Sequence, residues 1–259
     1  MNRSLRIAVR SGAWLCLLPV MGCCLVDSMV YPVPRVDVPE PPPPLKAVLL
    51  EGGVSAWALE PRSAASPVVV WCHGNGENLE LMRQGGIFDG VSGLGAGMLG
   101  LNYPGYGNSQ GSPGEKGVVA AVVGALREAR RRWPGHSVTL VGWSLGSAAA
   151  IQAARTEAPD RLVVISPFTS LESMGRVHYN PCLVFFLTLC TRDTYDSLSA
   201  AASLSMPTLV IHGTRDEIIP LSEGVALSKA FPHAETLWIQ GAGHNDILGF
   251  PEVWKRLLQ

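Results

Sequence analysis

The tightest constraint on the fold is an alternation. Six short apolar runs, at 68–72, 98–103, 138–141, 162–165, 208–212 and 236–239, read as strands. Between and after them lie segments of helical character, at 77–88, 115–132, 145–156, 221–231 and 251–258. Strands that are apolar along nearly their whole length, taking turns with helices, build a mostly parallel sheet covered on both faces, the α/β class. Two earlier β-prone runs, 47–50 and 54–59, flank Gly52-Gly53 and read as an antiparallel hairpin that extends one edge. The helix at 115–132 closes on Arg130-Arg131-Arg132, followed by Pro134-Gly135. Positive charge there complements the helix dipole, so the triplet reads as a solvated helix end. A chain of 259 residues is long enough for one such domain, placed at 45–259.

The chemistry starts at Gly142-Trp143-Ser144-Leu145-Gly146, a G-x-S-x-G pattern between an apolar strand and an alanine-rich helix. In this context the glycines let strand and helix approach closely, and the serine hydroxyl is pushed out at the end of the sheet. The following helix N-terminus favours developing negative charge. A serine hydroxyl is a weak nucleophile at neutral pH, so it needs a base within hydrogen-bond reach and an acid that orients the base. The chain order serine, acid, histidine is met by Ser144, Asp216 and His244. Glu217 and Asp246 are competing acids. His73 and His212 are competing bases, but both sit at strand ends inside other motifs and read as structural.

Acyl transfer also needs donors aimed at an oxyanion. His73-Gly74-Asn75-Gly76 follows an early strand, which suggests the backbone N–H groups of Asn75 and Leu145 as the donor pair.

A family resemblance is carried by HGNGEN at 73–78, NYPGYGNS at 102–109, GWSLGS at 142–147, HGTRDEIIP at 212–220 and GAGHND at 241–246. Over 47–259 the chain resembles α/β hydrolases of the Bem46-type and depalmitoylase-type group. The resemblance implies the α/β-hydrolase fold and the same triad, whose chemistry requires no cofactor. Asn102 departs from the group, where aspartate is frequent, and little catalytic consequence is expected. The expected activity is a serine hydrolase cleaving carboxylic esters of small or acyl substrates through an acyl-enzyme. A thioesterase or peptidase with the same triad, or a non-catalytic binding module on the same fold, are the alternatives.

An insertion at about 170–205 reads as a small cap. Its Leu183-Val184-Phe185-Phe186-Leu187 could cover the serine and contact an acyl chain, giving a preference for short to medium acyl esters, or could only pack the cap onto the domain.

The N-terminus differs in character. Arg3, Arg6 and Arg10 precede an apolar run at 13–21, the layout of a signal peptide at 1–22. Val20-Met21-Gly22-Cys23 resembles a bacterial lipoprotein box, making Cys23 the expected lipid attachment site and the protein an exported, membrane-anchored lipoprotein, with a plain signal peptide or an uncleaved anchor as the alternatives. The proline-dominated stretch within 23–44 reads as a semi-rigid spacer, or else as a segment wrapping the first strand. In an oxidising compartment Cys182 and Cys190 could pair if their geometry allows. Cysteine and histidine spacing gives no metal site. A net charge of -1 provides no basic surface for nucleic acid, which leaves a small-molecule ester or acyl substrate and the membrane as partners.

Overall fold

The computed structural model describes residues 28–259, apart from the side chains of Phe186 and Leu187. The expected signal peptide and Cys23 lie outside the described residues.

Eight strands form one sheet in the order β1-β2-β4-β3-β5-β6-β7-β8. They are β1 (Lys46–Leu50), β2 (Val54–Leu59), β3 (Val68–Cys72), β4 (Gly97–Leu101), β5 (Val138–Trp143), β6 (Arg161–Ile165), β7 (Thr208–Gly213) and β8 (Ala234–Ile239). The hairpin β1-β2 extends one edge as expected, β2 runs antiparallel to β4, and all the remaining pairings are parallel. Strands β3 to β7 are buried along nearly their whole length, which is why they lack the alternation of a half-exposed sheet.

Helices cover both faces. The expected helix at 77–88 is in fact two, α1 (Leu79–Gln84) and α2 (Ile87–Gly93). The break falls at Gly86, whose φ of 75° lies in the left-handed region that stops a helix. The long α3 (Glu115–Arg132) buries Val118, Val122, Ala125, Leu126 and Ala129, a stripe at helical period. Next to it, α4 (Leu145–Ala154) is buried almost all round, so its alanines allow close packing between α3 and the sheet. The opposite face is covered by α1, α2 and α9 (Pro251–Leu257), with Trp71, Met82 and Val253 in its core. The chain between β6 and β7 forms the expected cap: α5 (Leu171–His178), α6 (Pro181–Cys190) and a loop into α7 (Ser197–Ala201). After β7 comes α8 (Leu221–Ala230).

Two points that the sequence leaves open are resolved by the structure. Cys182 and Cys190 sit eight residues apart on α6, about 12 Å along the axis, beyond the reach of a disulfide. The proline-rich stretch is not a free spacer throughout. Tyr31 and Val38 are buried, Asn78 Nδ2 donates to Val36 O at 2.8 Å, and Asn108 Nδ2 donates to Val38 O at 2.8 Å. Residues 31–38 are therefore a strap on the domain.

Candidate active site

The loops after β3, β5, β7 and β8 all leave the C-terminal edge of the sheet, and they bring the expected residues together. Ser144 follows β5 directly. Its N–H still donates to Ile165 O at 2.9 Å, extending the ladder to β6, while its own φ of 55° and ψ of -119° turn the chain sharply into α4. A side chain at either flanking glycine would block this turn. A Cβ on Gly142 would lie 2.3 Å from Gly146 O, and one on Gly146 would lie 2.1 Å from Cys72 O. Strand, serine and helix can meet only because both positions are glycine.

Ser144 Oγ lies 3.0 Å from His244 Nε2, and His244 Nδ1 lies 2.8 Å from Asp216 Oδ2. All three residues are buried or nearly so. Asp216 is fixed from its other oxygen, Oδ1, which accepts from Ile218 N at 3.0 Å and Ile219 N at 2.7 Å. Burial by itself raises the Asp216 carboxyl, but hydrogen bonds from His244 and from Ile219 N–H hold it below the usual value. An ionised Asp216 accepts only, so Nδ1 of His244 carries the proton and Nε2 is left to accept from the Ser144 hydroxyl.

The competing candidates have other partners. Glu217 is exposed, and Asp246 Oδ1 accepts from Gly243 N at 2.7 Å. His212 is enclosed, with Nε2 2.8 Å from Ile219 O, and burial lowers its pKa. His73 lies against Tyr103 with ring centroids 4.0 Å apart, and burial lowers its pKa to about 4. Tyr103 Oη donates to His73 O at 2.7 Å, propping the loop that carries Asn75. Asn102 is buried, accepting from Leu79 N and donating to Ser55 Oγ, both at 2.9 Å, and so ties the start of α1 to β2.

Asn75 and Leu145 line one cavity with Ser144 and His244. Leu145 is the first residue of α4, so its N–H has no acceptor within the helix, and among the described residues the Asn75 N–H donates to no backbone carbonyl. Both N–H groups are free to meet an oxyanion. The cavity has a volume of about 750 Å³, and its apolar wall is formed by Phe168, Leu171, Met174, Val184, Ile218 and Ile219.

Four contributors carry little signal in the sequence. Trp143 occupies the variable position of the elbow, yet its ring stacks near His244 at 5.9 Å. Glu77 Oε2 accepts from Gly74 N at 3.0 Å and so holds the Asn75 loop. Burial raises the Glu77 carboxyl to about 7 against the pull of that hydrogen bond. A glutamate three residues after Gly74 in a glycine-rich loop was the only available hint. Met29 and Val30 reach the cavity from just before the strap, for which no local pattern exists.

Known proteins show related chains. The chain is 35% identical over 202 residues to an uncharacterized protein of Mycobacterium tuberculosis, covering 74% of this chain and 68% of that protein. It is 32% identical over 194 residues to alpha/beta hydrolase domain-containing protein 17C of Xenopus tropicalis, covering 74% of this chain and 60% of that one. Among solved structures, an esterase of Pyrococcus furiosus superposes with a TM-score of 0.71 at 18% identity, covering 88% of this chain and 98% of that one, a likeness of fold. The alpha/beta hydrolase fold family matches residues 67–181 and 183–251. With that match joined to the sheet order and the loops at its C-terminal edge, the chain belongs to the alpha/beta hydrolase fold family.

Proposed function

We propose that the protein is a serine hydrolase that cleaves carboxylic esters through an acyl-enzyme. The observation that carries this reading is the continuous relay from Ser144 Oγ through His244 to Asp216 at the wall of a largely apolar cavity. Ser144 Oγ attacks the ester carbonyl while His244 Nε2 takes its proton, and Asp216 steadies the imidazolium through Nδ1–H. The N–H groups of Asn75 and Leu145 hold the tetrahedral oxyanion. Collapse expels the alcohol with the proton returned by His244. Water, deprotonated by the same histidine, then releases the acid and restores Ser144.

The acyl part of the substrate lies against Phe168, Met174 and Val184, which favours short to medium acyl chains. The matching sequence stretches and the likeness to the 17C proteins support placement in the Bem46-type and depalmitoylase-type group. A thioester would react by the same steps, so the leaving group is set by comparing ester, thioester and aminoacyl substrates. Export and lipidation at Cys23 complete the reading. The Cys23→Ser chain should then lose labelling by an alkyne fatty acid, and persistent labelling removes the anchor.

The test of the chemistry is fluorophosphonate labelling of the full chain beside Ser144→Ala. Labelling that vanishes in the variant supports an activated Ser144. A folded wild-type chain that does not label overturns the proposal.

A further inference from the structure

Helix α6 lies at the surface without a polar face. Its sequence, PCLVFFLTLC, contains no charged residue. Leu183, Phe185 and Leu189 are nonetheless 38, 68 and 69% exposed. A surface helix of a water-soluble domain keeps a polar side, and one that is apolar all round needs apolar surroundings on both sides. The inner side of α6 has them: Val184 is buried and, with Thr188 one turn on, lines the cavity. The outer side has none among the described residues.

The cavity mouth has exposed apolar residues of its own. Met29, Tyr179 and Ile218 line the cavity and are also exposed large apolar residues.

We propose that the outer face of α6 docks on a lipid bilayer, so that the cavity opens onto the membrane surface. Two observations select a bilayer as the occupant. The first is charge: exposed Arg176 and Arg192 stand on either side of a helix that has no charge within it, as suits a segment seated among anionic headgroups. Arg176 also pairs with Glu172 at 2.6 Å. The second is the path of the chain. Met29 lines the cavity, and the apolar run at 13–21 ends eight residues before it, about 28 Å at full extension. An N-terminus held in a membrane therefore keeps this mouth beside that membrane. A ten-residue helix is about 15 Å long, too short to cross a bilayer but suited to lying in its surface.

The docking stands apart from the proposed chemistry; the tether at the N-terminus rests on the proposed membrane anchor, and the use of the docking, delivery of acyl substrates from the membrane, rests on the proposed hydrolysis. The experiment uses the full chain in vesicles of phosphatidylcholine and phosphatidylglycerol, with or without brominated acyl chains. Two variants are compared: Phe185→Trp, and Leu94→Trp, which places the probe beside the start of β4, at the opposite end of the sheet from the site. Bromine should quench the fluorescence added at 185 roughly twofold or more, because a docked face sits about 5–10 Å into the headgroup boundary, and should leave that at 94 unchanged. Equal quenching at the two positions overturns the proposal. Shielding at 185 that follows protein concentration without lipid also overturns it, and makes a second copy the occupant.

Phe185→Asp with Leu189→Asp extends the test to turnover. Hydrolysis of an ester carried in the vesicles should fall about tenfold, and that of a water-soluble short ester should stay within about twofold. An equal fall in both makes α6 a wall of the cavity and overturns the docking. Quenching at 185 in a chain that hydrolyses neither ester would remove the proposed chemistry and leave the docking intact.

Discussion

The floor of the cavity and its roof hold their shape by different means. The floor is fixed at every step. Ser144 continues the sheet through its N–H, Gly142 and Gly146 leave no room for a methyl group, and Asp216 is held by two backbone N–H groups. The roof, α5 and α6, is tied mainly at its ends. At its start Glu223 accepts from Thr169 N, Thr169 Oγ1 and Ser173 Oγ. At its far end Glu115 accepts from Thr194 N and Tyr195 N, and Tyr31 Oη donates to Asp193. Reactive atoms need positions fixed to fractions of an ångström, whereas an apolar wall has only to exclude water and fit a chain. On the proposed reading, the difference separates a part built for chemistry from a part that can vary with substrate.

Substitutions can break or sharpen that contrast. The largest effect is expected in the floor: Ser144→Ala should lower ester turnover by about 10⁴-fold or more at unchanged secondary structure, read by circular dichroism and steady-state kinetics. Next comes a matched pair of glycines. Gly146→Ala places a Cβ against the Cys72 carbonyl and should cost about 3 kcal/mol or more in urea unfolding. Gly175→Ala in α5 meets only Val184 at 3.5 Å and should be neutral or stabilising by up to about 1 kcal/mol. Equal losses at the two sites would erase the contrast. A smaller effect follows for the tether: Glu223→Gln should raise KM several-fold with little change in kcat, for a loss of about 1–2 kcal/mol from weakened charged hydrogen bonds.

A further effect, read only through pH, concerns Glu77. Its folded pKa, about 7, lies above that of an unfolded glutamate, so below about pH 4 both states are protonated and ionisation costs nothing. As pH rises the unfolded chain ionises first, and stability falls until the folded carboxyl has titrated near pH 7. Glu77→Gln should flatten the decline in Tm over that window. An unchanged slope would show that the decline has another source.

Much of the floor can be read from the sequence, because its determinants are local. Apolar runs of strand length, a pentapeptide between strand and helix, and the order of Ser144, Asp216 and His244 each need only a few neighbouring letters. Even there a helix expected at 77–88 overran Gly86, since an apolar pattern continues across a turn that only backbone geometry reveals. The roof was placed but not shaped. Val184 faces the cavity while Phe185 faces outward, and adjacent apolar letters do not distinguish the two. The strap was least legible: the hydrogen bond from Tyr31 to Asp193 spans 162 positions, and proline content states only that a segment is extended.

The backbone at Ser144 bears on how such a chain evolves. A non-glycine residue at a φ of 55° and ψ of -119° carries a strain of about 1–3 kcal/mol, and glycine would relieve it. A lineage that kept this scaffold only for binding would gain stability by drifting from serine to glycine there. Serine at this position is therefore not the residue that selection for folding alone would choose.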